Sequence, residues 1–389
     1  MQSLRRGLRA ASVVFVAAVV ASACGGGGDP ADPDAAPTST TTATATSTST
    51  VSPTTSVAAG PPAPLTGVPT EPGDLLDAPA LVVKIDDNDD RARPQAGLAS
   101  ADLVYEELIE GQKTRLAAVF HTTVPDRIGP VRSGRTSDIE LLGDLGTPVF
   151  AYSGANPVVM GQFARAERAG AFVDVNALDV PGAYTRDERR RAPDNLYLYP
   201  DRLGDAAADA GRPVPLFVHD TGRADTDPGP GGGLEVAYPA SFGRVSTHLW
   251  DPELGGWVRV QDGTLHLSEE GPGADLTEIA PANVVVAVIA YGRSDADPAS
   301  PQAETLGEGP AWIATRGRIV EGRWQRRADV PGWQFTDTAG DEVALAPGPT
   351  WVLLANGDTG PFPAATVTRI DPDAAAERLA AARTAEAER

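Results

Sequence analysis

The chain has 389 residues, 41% of them hydrophobic, with 32 basic against 53 acidic side chains, a formal net charge of −21 and one cysteine. Such acidity repels phosphate backbones and argues against a nucleic-acid partner. A single cysteine excludes a disulfide framework, and the length allows two domains with a real core.

Arg5, Arg6 and Arg9 precede an apolar run from Ala10 to Val20, too short for a stable membrane span but suited to a signal peptide over residues 1–23. The run ends in Ala21-Ser22-Ala23-Cys24, small residues before the only cysteine. This resembles a bacterial lipobox, which implies that Cys24 is diacylated, with palmitate-class chains, and becomes the mature N-terminus. Each buried CH₂ contributes about 0.8 kcal/mol of membrane affinity, so two chains anchor stably. Residues 24–63, with Gly25 to Gly28 and a Thr/Ser tract from Thr38 to Ser56, have no apolar periodicity to bury. They read as a disordered stalk of about 35 Å mean reach.

Ala80 to Asp86 is the first strand-like run, followed by Asp102 to Glu110 and Arg115 to Thr122, with Gly111 in the gap as in a hairpin. Ser137 to Leu145 reads as a helix and Thr147 to Ser153 as a strand. Asn156-Pro157 is a cap and first-turn pair for a helix over Val158 to Arg168 that Gly170 ends. A third helix is expected over Pro200 to Ala210. Residues 64–212 therefore read as an α/β domain. An Asp/Gly/Pro-rich segment from Asp225 to Gly233 marks a boundary. Residues 234–356 follow as a smaller, mainly antiparallel β domain with short strands and close turns, so the whole is α+β. Residues 371–389 are an Ala/Glu/Arg helix with little apolar surface, expected to be solvated.

The order of motifs is familiar. Lys84-Ile85-Asp86-Asp87-Asn88, Ala92-Arg93-Pro94-Gln95-Ala96-Gly97-Leu98, Ala101 to Glu106, Ile128-Gly129-Pro130-Val131-Arg132-Ser133 and Asn195-Leu196-Tyr197 resemble the YerB-like lipoprotein family. So do Trp250-Asp251, Gly322-Arg323-Trp324 and Gly348-Pro349-Thr350-Trp351 in the second half. The resemblance implies an extracytoplasmic lipoprotein with an α/β first part and a β-rich second part. It carries no reaction, ligand or cofactor with it.

The densest polar region runs from Asp86 to Arg135. Its candidate ligand-binding cleft is Asp86, Glu106, Glu110, Arg115, Arg132 and Arg135. On one strand, Glu106 and Glu110 would stand about 13 Å apart, too far for a glycosidase pair, which needs about 5–9.5 Å. The same groups suit either an ion-pair network or a polar ligand site. Asp86 to Asp90 alternates oxygen ligands but lacks the Gly and Glu of an EF-hand, leaving a looser Ca²⁺ site as an open alternative. Gly129 to Arg135 places two arginines and a hydroxyl before a helix, suited to an anionic group or to a tight turn. Cys24 is spent on the anchor, Ser-x-x-Lys is absent, and His121, His219, His248 and His266 lack zinc spacing. All six tryptophans lie in the second half and read as core before sugar platforms.

These observations lead to a membrane-anchored extracytoplasmic lipoprotein that binds or scaffolds cell-wall glycan or an envelope protein, with no metal and no cofactor. The second candidate is a glycan hydrolase that uses carboxylates of the same cleft.

Overall fold

The structure, a computed structural model, describes residues 60–71, 77–88, 90–222, 228–239 and 244–389. The leader, Cys24, the stalk up to residue 59 and Asp89 lie outside the described residues. Residues 60–63 are already tied to the fold, though Pro61 and Pro62 are exposed: Gly60 donates to Thr70 O at 2.9 Å, Ala63 donates to Val68 O at 2.8 Å, and Ala63 is buried. Packed chain therefore starts a few residues ahead of Pro64.

The first half supplies β1 (Leu81–Asp86), β2 (Gln95–Ala96), β3 (Leu103–Ile109), β4 (Lys113–Phe120), α1 (Ser137–Leu142), β5 (Val149–Ala151), α2 (Pro157–Arg168), β6 (Val173–Asp174), β7 (Tyr184–Arg186) and β8 (Leu196–Leu198). The second half supplies β9 (Gly233–Ala237), β10 (Val245–Asp251), β11 (Gly256–Gln261), β12 (Thr264–Leu265), β13 (Leu267–Glu269), β14 (Leu276–Glu278) and β15 (Asn283–Ser294). It continues with β16 (Asp297–Glu304), β17 (Gly307–Thr315), β18 (Arg318–Arg327), β19 (Val330–Asp337), β20 (Thr350–Asn356), β21 (Thr366–Ile370) and α3 (Pro372–Ala387).

Local chemistry accounts for the clearest elements. Asn156 Oδ1 accepts the Val158 N–H at 2.9 Å, Pro157 starts α2, and Gly170 at φ +78° follows its end. Phe163 then docks α2 edge-on against Phe150, Tyr152 and Phe172. The β3–β4 hairpin turns through Gly111 and Gln112, both at positive φ. Where a helix was expected over Pro200 to Ala210, two short 3₁₀ turns occur, Pro200–Arg202 and Gly204–Ala207. Gly204 at φ +50° parts them.

Strands from both halves share an 11-stranded sheet in the order β19-β18-β17-β15-β20-β3-β4-β1-β5-β6, with β16 paired to β15. Its join is β20, parallel to β3 on one edge and to β15 on the other: Trp351 stands opposite Val104 and opposite Val284. A five-stranded sheet, β12-β11-β10-β9-β21, packs on one face. The core between them includes Trp257, Trp351 and Tyr238. Its other face meets α3 through Leu249, Val258, Leu265, Leu379 and Ala382. The C-terminal helix is therefore docked, contrary to its expected solvation. Arg383 fastens it by donating to Glu278 Oε2 at 2.7 Å, and it also contacts Asp251. Trp250, Trp257, Trp324, Trp333 and Trp351 are buried as core, while Trp312 is half-buried.

One buried amide ties the join. Asn283 Nδ2 donates to Ala346 O at 2.9 Å, and its Oδ1 accepts from Thr315 Oγ1 at 2.7 Å and Ala346 N at 3.0 Å. Removing it orphans several buried groups at about 1–3 kcal/mol each. Asn283→Ala should therefore lower stability by on the order of 3 kcal/mol, read as a reduced urea midpoint with an unchanged slope.

Candidate functional site

Successive residues of a strand point to opposite faces, and register decides which acids meet. Asp86 pairs with Arg115, and Arg115 with Glu107, so these three share one face with Lys84. Glu106 stands opposite Leu116 and Leu353 on the other face. Five of the six candidate residues thus gather on one side, and Glu106 is separated from them.

Glu106 is sealed between the two large sheets. Arg259 Nη2 donates to its Oε2 at 2.8 Å and to Asp87 Oδ2 at 3.2 Å. Ser246 Oγ at 3.2 Å and Trp351 Nε1 at 3.1 Å donate to the same Glu106 oxygen. The Arg259 guanidinium lies 4.6 Å from the Trp351 ring centre. His248 pairs with Arg259 across β10 and β11, and His266 contacts Arg259 from the other side. Burial first, and then the Arg259 charge, push both imidazoles well below their usual pKa. Asp86 and Asp87 face arginines in different surroundings: Asp86 meets Arg115 and Arg132, whereas Asp87 meets Arg244 and Arg259.

On the open side, residues 130–132 run beside β1: Asp86 N donates to Pro130 O at 3.0 Å and Arg132 N to Lys84 O at 2.9 Å. The segment can bend this tightly because residue 129 is glycine. A Cβ there would stand 2.9 Å from Leu196 O and from the Tyr197 ring, at φ +152°. Arg132 Nη1 bridges Asp86 Oδ2 at 3.4 Å and Asp194 Oδ1 at 3.2 Å. Arg115 lies 3.9 Å from Asp86 and donates to Ser133 O at 3.1 Å. Glu110 sits in the 3₁₀ turn after β3, since the strand ends at Ile109, so the expected strand spacing from Glu106 does not apply. Arg135 Nη2 donates to Glu110 Oε2 at 2.7 Å, and Ser300 Oγ donates to the other oxygen.

Of the six candidate residues, Glu110 and Arg135 line a polar pocket of about 210 Å³ with Ser133, Asn156, Ser294, Asp297 and Ser300, among others, whereas Asp86, Arg115 and Arg132 do not line it. The electrostatics differ from place to place. Burial raises Asp86 to about 6, against the pull of Arg115 and Arg132 and helped by its hydrogen bond with Asp194. Burial would raise Glu110 as well, but the Arg135 hydrogen bond and charge, with Ser300, bring it below its usual value. Burial, and then the neighbouring Arg135, lower Arg115 to about 10. Asp194, Ser300, Asn156 and Ser294 were not anticipated from sequence. Asn156 was read from sequence only as a helix cap, and Asp194 stands next to the Asn195-Leu196-Tyr197 motif.

Because Asp86 ionises later in the fold than in the unfolded chain, its contribution to stability is fully present below about pH 4 and declines as pH rises to about 6. Asp86→Asn should remove that decline. Urea unfolding of both proteins from pH 4 to 7 should show the difference moving in the variant's favour by on the order of 2–3 kcal/mol.

Comparison with known proteins places this geometry in a family. The models for "Protein of unknown function (DUF3048)" match in order, the N-terminal domain over residues 65–212 and the C-terminal domain over 234–352. The chain is 28% identical over 303 residues to the "Putative lipoprotein YerB" of Bacillus subtilis, covering 75% of this chain and 85% of that protein. The crystal structure of Bacillus subtilis YerB superposes with a TM-score of 0.63, at 23% identity, over 79% of this chain and 99% of that one. The structural likeness is one of fold, and the relative is described as the same class of protein that the leader and Cys24 imply here. With both domains matched in sequence order, the chain belongs to the YerB-like DUF3048 family, whose mixed α+β architecture it shares.

Proposed function

We propose that the protein is a lipid-anchored binding protein of the extracytoplasmic membrane face, whose pocket at Glu110 and Arg135 takes a hydroxyl-rich envelope ligand, cell-wall glycan foremost. The leader, Cys24 and the putative-lipoprotein description of the relative support the anchor. The observation that carries the binding role is the pocket lining. The Glu110–Arg135 ion pair stands among serine hydroxyls, the Asn156 amide and the Asp297 carboxylate, donors and acceptors matched to sugar hydroxyls.

One observation favours the hydrolase alternative: Asp86 is pushed up and Glu110 down, a divergence that suits an acid and a base. Against it, Asp86 has no exposed surface, whereas an acid must reach the glycosidic oxygen. Binding is the better account, and a protein of the envelope is the ligand class to test next.

Purified sacculi should sediment the mature chain, and Glu110→Ala with Arg135→Ala should reduce the sedimented fraction at least tenfold while the protein stays folded. Mass spectrometry of the supernatant should show no new glycan fragments. Fragments that vanish with Glu110→Gln would move the assignment to hydrolysis. Unchanged sedimentation by the double variant would remove this pocket from consideration.

A further inference from the structure

The chain has only two lysines, Lys84 and Lys113, and Lys84 is completely buried. Its Nζ donates to Asp138 Oδ1 at 2.8 Å and also to Glu107 Oε1. All three side chains are sealed from solvent. Asp138 is oriented by its other oxygen, which accepts the Arg135 N–H at 2.7 Å. On that side the Phe163 ring lies close, since a Cβ added at Gly134 would meet it at 2.5 Å and Asp138 Oδ2 at 3.5 Å. Glu107 Oε2 is buried with no hydrogen-bond partner. One ammonium thus faces two carboxyl groups in a dry core, with one carboxyl oxygen left over.

We propose that Lys84 and Asp138 join in an intramolecular isopeptide bond, with Glu107 as the proton carrier. Two carboxylates beside one ammonium would leave a net buried charge, which the interior strongly penalises. Burial accordingly holds the Glu107 carboxyl above its usual range, aided by Asp138 and despite the Lys84 charge and hydrogen bond and the weaker pull of Arg135. The cluster then holds one ammonium, one carboxylate and one carboxylic acid. Passing a proton from Nζ to Asp138 leaves an amine lone pair against a carboxylic acid, already in contact and screened from water.

Nζ attacks Asp138 Cγ, and the Arg135 N–H steadies the charge that gathers on Oδ2. Glu107 gives its proton to the departing Oδ1 hydroxyl and takes one from Nζ. The N–C bond forms, the C–Oδ1 bond breaks, and one water leaves. Glu107 ends as it began, and no oxidant, reductant or second substrate is needed. The bond would tie β1 to the start of α1 across 54 positions of chain, in a protein whose one cysteine cannot form an internal disulfide.

The test uses full-length protein purified in detergent, unfolded and digested on the N-terminal side of aspartates. This puts Lys84 in residues 77–85 and Asp138 in a peptide ending at Gly143. The expected result is one branched peptide, lighter by a single water than its two arms, whose fragmentation places the link at Lys84 and Asp138. Glu107→Gln, folded by circular dichroism, should yield two linear peptides. Two linear peptides from the wild-type protein would overturn the proposal. A branched peptide that forms equally in Glu107→Gln would overturn the role given to Glu107.

Discussion

A fully buried guanidinium sits at the centre of the polar contacts between the two large sheets. Arg259 comes from the five-stranded sheet and reaches Glu106 in the 11-stranded sheet and Asp87, the residue that follows β1. None of the three is exposed. Burial alone would lower the arginine's pKa, but Glu106 and Asp87 reverse the direction and keep it charged. The desolvation of such a cluster offsets much of its attraction, while losing one member strands the others at about 3–5 kcal/mol. Removing any one member is therefore costly even though forming the whole cluster adds little net stability. With Glu106 committed there, Asp86, Glu110 and the remaining arginines are left to shape the opposite face.

That division was only half legible in the sequence. The strand at Leu81–Asp86, the β3–β4 hairpin and α2 were readable because each carries a local signature: an apolar run, a glycine turn, an Asn-Pro cap. Strand β3 is buried on both faces, so its sequence has no polar–apolar alternation to tell Glu106 from Glu107. Consecutive acids in such a strand must each find a cation. That signal points to Arg259 on one side and Lys84 on the other, though not to which is which.

The rest was hidden for reasons of distance. A parallel neighbour such as β20 leaves no turn signature near β3, because the chain returns only after the whole second half. The docking of α3 was hidden differently. Its buried stripe is Ala375, Leu379 and Ala382, too small to stand out from an alanine-rich helix. Ser294 and Ser300 reach the pocket from an excursion that begins at the end of β15, which no motif announces.

The position of β20 also sets an order of events. A chain made from its N-terminus has β1, β3 and β4 available early, but the outer edge of β3 has no partner until residues 350–356 emerge. Until then that edge can pair with any extended segment nearby. Final closure of the sheet is therefore a late event in biosynthesis, and a truncation short of Asn356 would release a chain with its central seam unfilled rather than a smaller working domain.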